Sequence, residues 1–123
     1  MMHYACLEPD TTGAARFSDA PLSFSPLAYA PPAPPVDVSS PLPAASVFFV
    51  SSPPGWVGAL RSGVCRQLFL CLAGQVEVRA DDRETRCFRP GSALVVAAGA
   101  GREYPCRVVG PDACLVAVIQ LDD

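Results

Sequence analysis

From Ala45 onward the chain breaks into six short apolar runs: ASVFFV, RQLFLCLA, QVEVRA, SALVVAA, CRVV and CLVAVIQL. Each has the length of a strand, and no window sustains the 3.6-residue apolar period of a surface helix. QVEVRA alternates polar and apolar positions, which predicts a strand with one face to water, and AGQ and ADDRE mark turns at its two ends. A Pro-Gly turn in RPGS opens the SALVVAA run, and VGPDA separates the last two runs. Several strands at short, regular spacing with Gly and Pro turns predict an all-β sandwich or barrel.

Ahead of these runs the composition changes. Ten of the fourteen prolines fall between Pro21 and Pro54. That density excludes helix and favours extended or polyproline II geometry over AYAPPAPPVDVSSPLPAA. Phe17, Phe24, Leu27 and Tyr29 flank the stretch, so it reads as an arm that docks on something, with a disordered linker as the alternative. The expected organisation is a flexible N-terminus over 1–20, a proline-rich arm over 21–44 and a barrel over 45–123.

Length and charge narrow the function classes. At 123 residues, half of them hydrophobic, the chain suits one domain with one core. The net charge is −3 and the nine basic residues, all arginine, are scattered from Arg16 to Arg107, which argues against nucleic acid. With no lysine, Schiff-base chemistry, pyridoxal phosphate attachment and the phosphate-loop lysine are excluded. The single histidine, His3, lies in a start segment expected to be poorly ordered, so histidine acid–base catalysis in a folded pocket is not expected. No signal-peptide pattern and no bilayer-length apolar run appear, which predicts a cytoplasmic protein without membrane contact. The six cysteines (Cys6, Cys65, Cys71, Cys87, Cys106, Cys114) form no C-x-x-C pair and mostly sit in apolar runs, as buried free thiols do.

Two local patterns carry a resemblance. Gln67 precedes Gly74 by six intervening residues, and FRPGSALVV places a Pro-Gly turn before a strand. Together with Pro54-Gly55-Trp56, Arg66-Gln67 and Arg107-Val108-Val109-Gly110, in that order and spacing, they make the chain from Ala30 onward resemble small bacterial single-domain cupins. The resemblance implies an all-β, double-stranded β-helix or jelly-roll barrel behind the proline-rich arm. It also implies that metal ligands have been lost: Arg61 and Tyr104 stand where such relatives carry histidines, and Ser92 replaces the aspartate of the turn. One amide and one phenol cannot replace several converging imidazoles, so neither metal nor other cofactor is expected.

Strand alternation then nominates a site. If Gln67 points inward, Phe69 and Cys71 share its face, and Tyr104 shares one with Cys106. The candidate catalytic residues are Arg61, Gln67 and Tyr104, with Trp56, Phe69, Cys71 and Cys106 lining a substrate pocket; Glu103 should face away. Two functions are compatible. One is a metal-independent cyclase, isomerase or dehydratase acting on a polyketide-like or other secondary metabolite, with Arg61, Gln67 and Tyr104 polarising a carbonyl or holding an enolate. The other is a non-catalytic cupin, a small-molecule binder or structural dimer. A homodimer is expected in both cases, and an open rather than filled cavity would favour binding or catalysis.

Overall fold

The computed structural model describes residues 2–99 and 101–122. Its strands are β1 (His3–Pro9), β2 (Ala15–Pro21), β3 (Phe24–Leu27), β4 (Val36–Ser39), β5 (Ala44–Ser52) and β6 (Val57–Arg61), then β7 (Gln67–Ala73), β8 (Gln75–Arg79), β9 (Thr85–Phe88), β10 (Ala93–Val96), β11 (Glu103–Val109) and β12 (Cys114–Leu121). They form a six-stranded sheet in the order β2-β1-β10-β7-β12-β5 and a four-stranded sheet in the order β6-β11-β8-β9. The core lies between the two, with Leu7, Val78 and Val96 its most deeply buried large side chains. Among the described residues no helix is long and apolar enough to cross a membrane.

The six apolar runs fall on β5, β7, β8, β10, β11 and β12. The N-terminus departs from expectation. The segment over 1–20 reads from sequence as a flexible N-terminus, yet His3–Pro9 and Ala15–Pro21 form the antiparallel β1–β2 hairpin, and β1 adds to β10 in parallel through Ala5↔Leu94 and Leu7↔Val96. The reason is apolar alternation: Ala5, Leu7, Ala15 and Phe17 all point into the core, and Leu7 and Ala15 have no exposure. His3 sits at the exposed start of β1. The turn between the strands is held by Asp10, whose carboxylate accepts from the Thr12 N–H and hydroxyl at 2.8 and 2.6 Å. These bonds hold the Asp10 carboxyl below the usual carboxylate range.

The proline-rich segment forms a small sheet of its own. Among the described residues β3 and β4 pair with each other and with no other strand. Phe24, Leu27, Tyr29 and Val36 stay exposed on it.

The two seams of the barrel differ. Between β2 and β9 the edges are tied together. The Phe17 and Phe88 rings meet at 6.2 Å between centroids, Arg86 lies 5.1 Å over the Phe17 ring, and its guanidinium pairs with Asp19 at 2.8 Å. The Asp81 carboxylate accepts the Ala15 N–H at 2.7 Å and pairs with Arg102. Between β5 and β6 no such closure exists among the described residues, although the short turn through Pro53, Pro54 and Gly55 joins the two strands.

Candidate functional site

A cavity of about 250 Å³ lies between the sheets and is lined by both unpaired edges, with Phe48, Val50 and Ser52 of β5 facing Ala59, Leu60 and Arg61 of β6. Its wall is built by alternation. On β7, Gln67, Phe69 and Cys71 point inward; on β12, Cys114, Val116 and Val118 do; Cys106 and Val108 come from β11. Leu94 and Phe88 complete the apolar floor.

Gln67 is the one polar residue of this wall that is itself buried, at 9% exposure. No hydrogen bond from another described residue reaches its side-chain amide. No enclosed side-chain nitrogen or oxygen among the described residues lacks a partner, so the amide borders the open cavity space. Gly63 backs it closely: a Cβ there would collide with the Gln67 amide nitrogen. Gly74, which follows β7, is fixed by two requirements, a φ of 71° and a Cβ position that the Ala113 carbonyl occupies.

The residues nominated from sequence divide between wall, mouth and core. Gln67, Phe69, Cys71 and Cys106 line the wall, while Trp56 and Arg61 border the cavity near the β5–β6 turn and at the end of β6. Arg61 ends a strand rather than lying in a loop, and it sits opposite Glu103 in the β6–β11 register. Its guanidinium is ion-paired with Glu103, with the two side chains 70% and 53% exposed. It therefore presents a compensated charge to solvent, not a bare cation to the cavity. Tyr104 is not part of the lining. It points inward at 2% exposure but packs into the core, with the Arg102 guanidinium 5.9 Å from its ring centroid. Alternation placed Tyr104 on the correct face; its level along the barrel axis depends on the β11 register, which alternation does not reveal. Phe48 and Val50, unmarked by any motif, were legible only as the inward half of ASVFFV.

The cavity thiols are protonated. Burial pushes Cys71 up to about 11 from the ordinary 9.0, and burial also raises Cys106 and Cys114. Burial likewise raises the Tyr104 phenol. Among the described residues, no group of three or more His, Cys, Asp or Glu side chains is arranged to hold a metal ion.

No protein-family model matches the chain. No curated protein matches it either. Solved structures do. The cupin domain of Cnp3 from Schizosaccharomyces pombe superposes with a TM-score of 0.53 at 16% identity, covering 99% of this chain and 89% of that one. The Drosophila melanogaster CENP-C cupin domain gives 0.50 at 15% identity, over 80% and 74%. A cupin-2 domain containing protein from Shewanella frigidimarina gives 0.47 at 13%, over 62% and 69%. At such identities the likeness speaks to architecture, and the chain has a cupin-type fold: an all-β barrel of two facing sheets with its cavity between them.

Proposed function

We infer that the barrel is a binding module for a small, neutral, largely apolar molecule carrying one hydrogen-bonding group. The observation that supports this reading is the Gln67 amide, engaged by no side-chain hydrogen bond among the described residues, beside an apolar cavity of about 250 Å³. A buried amide is disfavoured unless something satisfies it, and a ligand carbonyl or hydroxyl would do so. The cavity falls just below the usual range of small-molecule sites, which suits a compact ligand. Arg61, engaged by Glu103, leaves no free cation for a carboxylate or phosphate.

The catalytic alternative, a metal-independent cyclase, isomerase or dehydratase of a polyketide-like molecule, has weaker support. Of its three proposed residues only Gln67 borders the cavity with an unengaged polar group. The remaining titratable lining groups are thiols held protonated by burial. Non-catalytic use of the fold has precedent in kind, since a fold does not fix a chemistry.

The test is titration with the neutral fluorophore N-phenyl-1-naphthylamine. Saturable binding at one site per chain is expected. It is lost in Val50→Trp, which fills the β5–β6 opening, and kept in Val57→Trp, whose parent side chain is 75% exposed and outside the cavity. Absence of saturable binding, or equal loss in both variants, overturns the reading.

A further inference from the structure

Aromatic rings supply much of the cavity wall. Phe48, Trp56, Phe69 and Phe88 all line it. The Phe88 ring is engaged by Phe17, but among the described residues the rings of Phe48, Trp56 and Phe69 meet no other ring. Three aromatic side chains therefore border the cavity without an aromatic partner from their own chain.

The local sequence sets Trp56 in this position. Its backbone is tied on both sides: the N–H donates to the Pro53 carbonyl at 3.1 Å, and the carbonyl accepts the Val108 N–H at 2.8 Å. Two residues on, Gly58 lies opposite Cys106, a lining residue, so a side chain at Gly58 would point into the barrel. The indole occupies that space instead, since a Cβ at Gly58 would collide with its Cζ2 and Cη2. Trp56 thus lies over the inner side of β6 and still keeps 36% exposure, at the opening between β5 and β6. Phe48, 45% exposed, stands on the β5 side of the same opening. Deeper in, Cys71, Cys106 and Cys114 bring polarisable sulfur atoms to the wall, and sulfur beside a ring edge is a favourable contact.

We propose that the ligand is a flat aromatic molecule bearing one hydroxyl or carbonyl, with its ring stacked on Trp56 and flanked by Phe48 and its polar group turned towards Gln67. This rests on the binding reading above and narrows it. An aliphatic alcohol of the same size would fill the cavity and satisfy the amide equally well, but it would gain nothing from the electrostatics of offset or edge-to-face ring contacts.

Two alcohols of one carbon skeleton separate these cases: 2-naphthol and its saturated counterpart decahydro-2-naphthol, each used to displace N-phenyl-1-naphthylamine from the full chain. The flat alcohol should compete at least about tenfold better, from contacts with two rings. Burial alone predicts the reverse, because the saturated skeleton is the more apolar. Trp56→Leu should bring the two alcohols within about threefold of each other, and Phe48→Leu should narrow the gap in the same direction, with thermal melts confirming that both variants fold. Trp56 is the chain's one tryptophan, so a single indole N–H resonance reports on it. Ring currents should shift that resonance saturably with 2-naphthol and leave it nearly unmoved with the saturated alcohol. Equal competition by the two alcohols, or a preference that survives both substitutions, overturns the proposal while saturable fluorophore binding leaves the binding module standing. Absence of saturable fluorophore binding removes both.

Discussion

Replacing Gln67 by leucine should make the ligand-free protein more stable, not less. The usual effect of removing a buried polar side chain is to strand its partner, but none of the side-chain hydrogen bonds among the described residues engages this amide, and since no enclosed side-chain nitrogen or oxygen lacks a partner, its polar atoms are reached from the cavity. Its backbone would keep the ladder positions opposite Val96 and Gln120. What changes is that a 9%-exposed amide becomes an isobutyl group facing Phe69, Leu94 and Val118. A buried amide without a protein partner is disfavoured by about 1–3 kcal/mol. Water entering the cavity offsets part of that, so a gain of about 1 kcal/mol is expected. For a chain of this length that is roughly 4 °C in melting temperature. Urea unfolding of both proteins at one pH, with equal m-values, measures it. A loss of more than about 1 kcal/mol would mean that the amide has a partner in the wall, and the binding-site argument would fail with it.

Leu7→Ala should lower stability by about 3–4 kcal/mol, since the side chain is fully enclosed between the sheets; a loss below 1 kcal/mol in urea titration would return the N-terminal hairpin to the status of a tail. Arg61→Ala, breaking an exposed pair, should change stability by less than about 0.5 kcal/mol and leave fluorophore binding intact, and a tenfold loss of binding would restore Arg61 to the site. Because burial raises the Cys71 thiol in the folded state, the unfolded chain loses its proton first as pH rises. The Cys71 contribution to stability should therefore be flat below pH 9.0 and fall between there and about 11, by about 2–3 kcal/mol. Anaerobic urea titrations at pH 8, 9.5 and 11 follow this loss, and a Cys71→Val protein should show a shallower decline.

Strands β5, β7, β8, β10, β11 and β12 were legible because each is a short apolar or alternating run next to Gly or Pro turns, and the inward faces of β7 and β11 followed from alternation. What escaped was shorter or more mixed. β1 and β2 carry only Ala5, Leu7, Ala15 and Phe17 inward, among polar residues, so a terminal segment with real alternation reads as a tail. β6 is too short and glycine-interrupted, and β9 too short and mixed, to stand out, and without β6 the ion pair of Arg61 with Glu103 was invisible. Tyr104 was assigned the right face and the wrong depth. Faces follow from a period of two, whereas depth follows from registers between strands far apart in sequence.

The parallel pairing of β1 with β10 also bears on how the chain acquires its fold. β1 is synthesised before the other eleven strands, yet its ladder partner lies about ninety residues further along, as Leu7↔Val96 shows. The β1–β2 hairpin can close early, but its inward leucine and phenylalanine have nothing to pack against until almost the whole chain is available. Non-local closure of this kind slows folding, because the entropy of a long loop must be given up before the contact forms. During translation the hairpin would wait with an unpaired edge, a state open to strand exchange with neighbouring nascent chains. Moving β1–β2 to the C-terminus by circular permutation would shorten that wait, and refolding of the permuted chain should be the faster of the two.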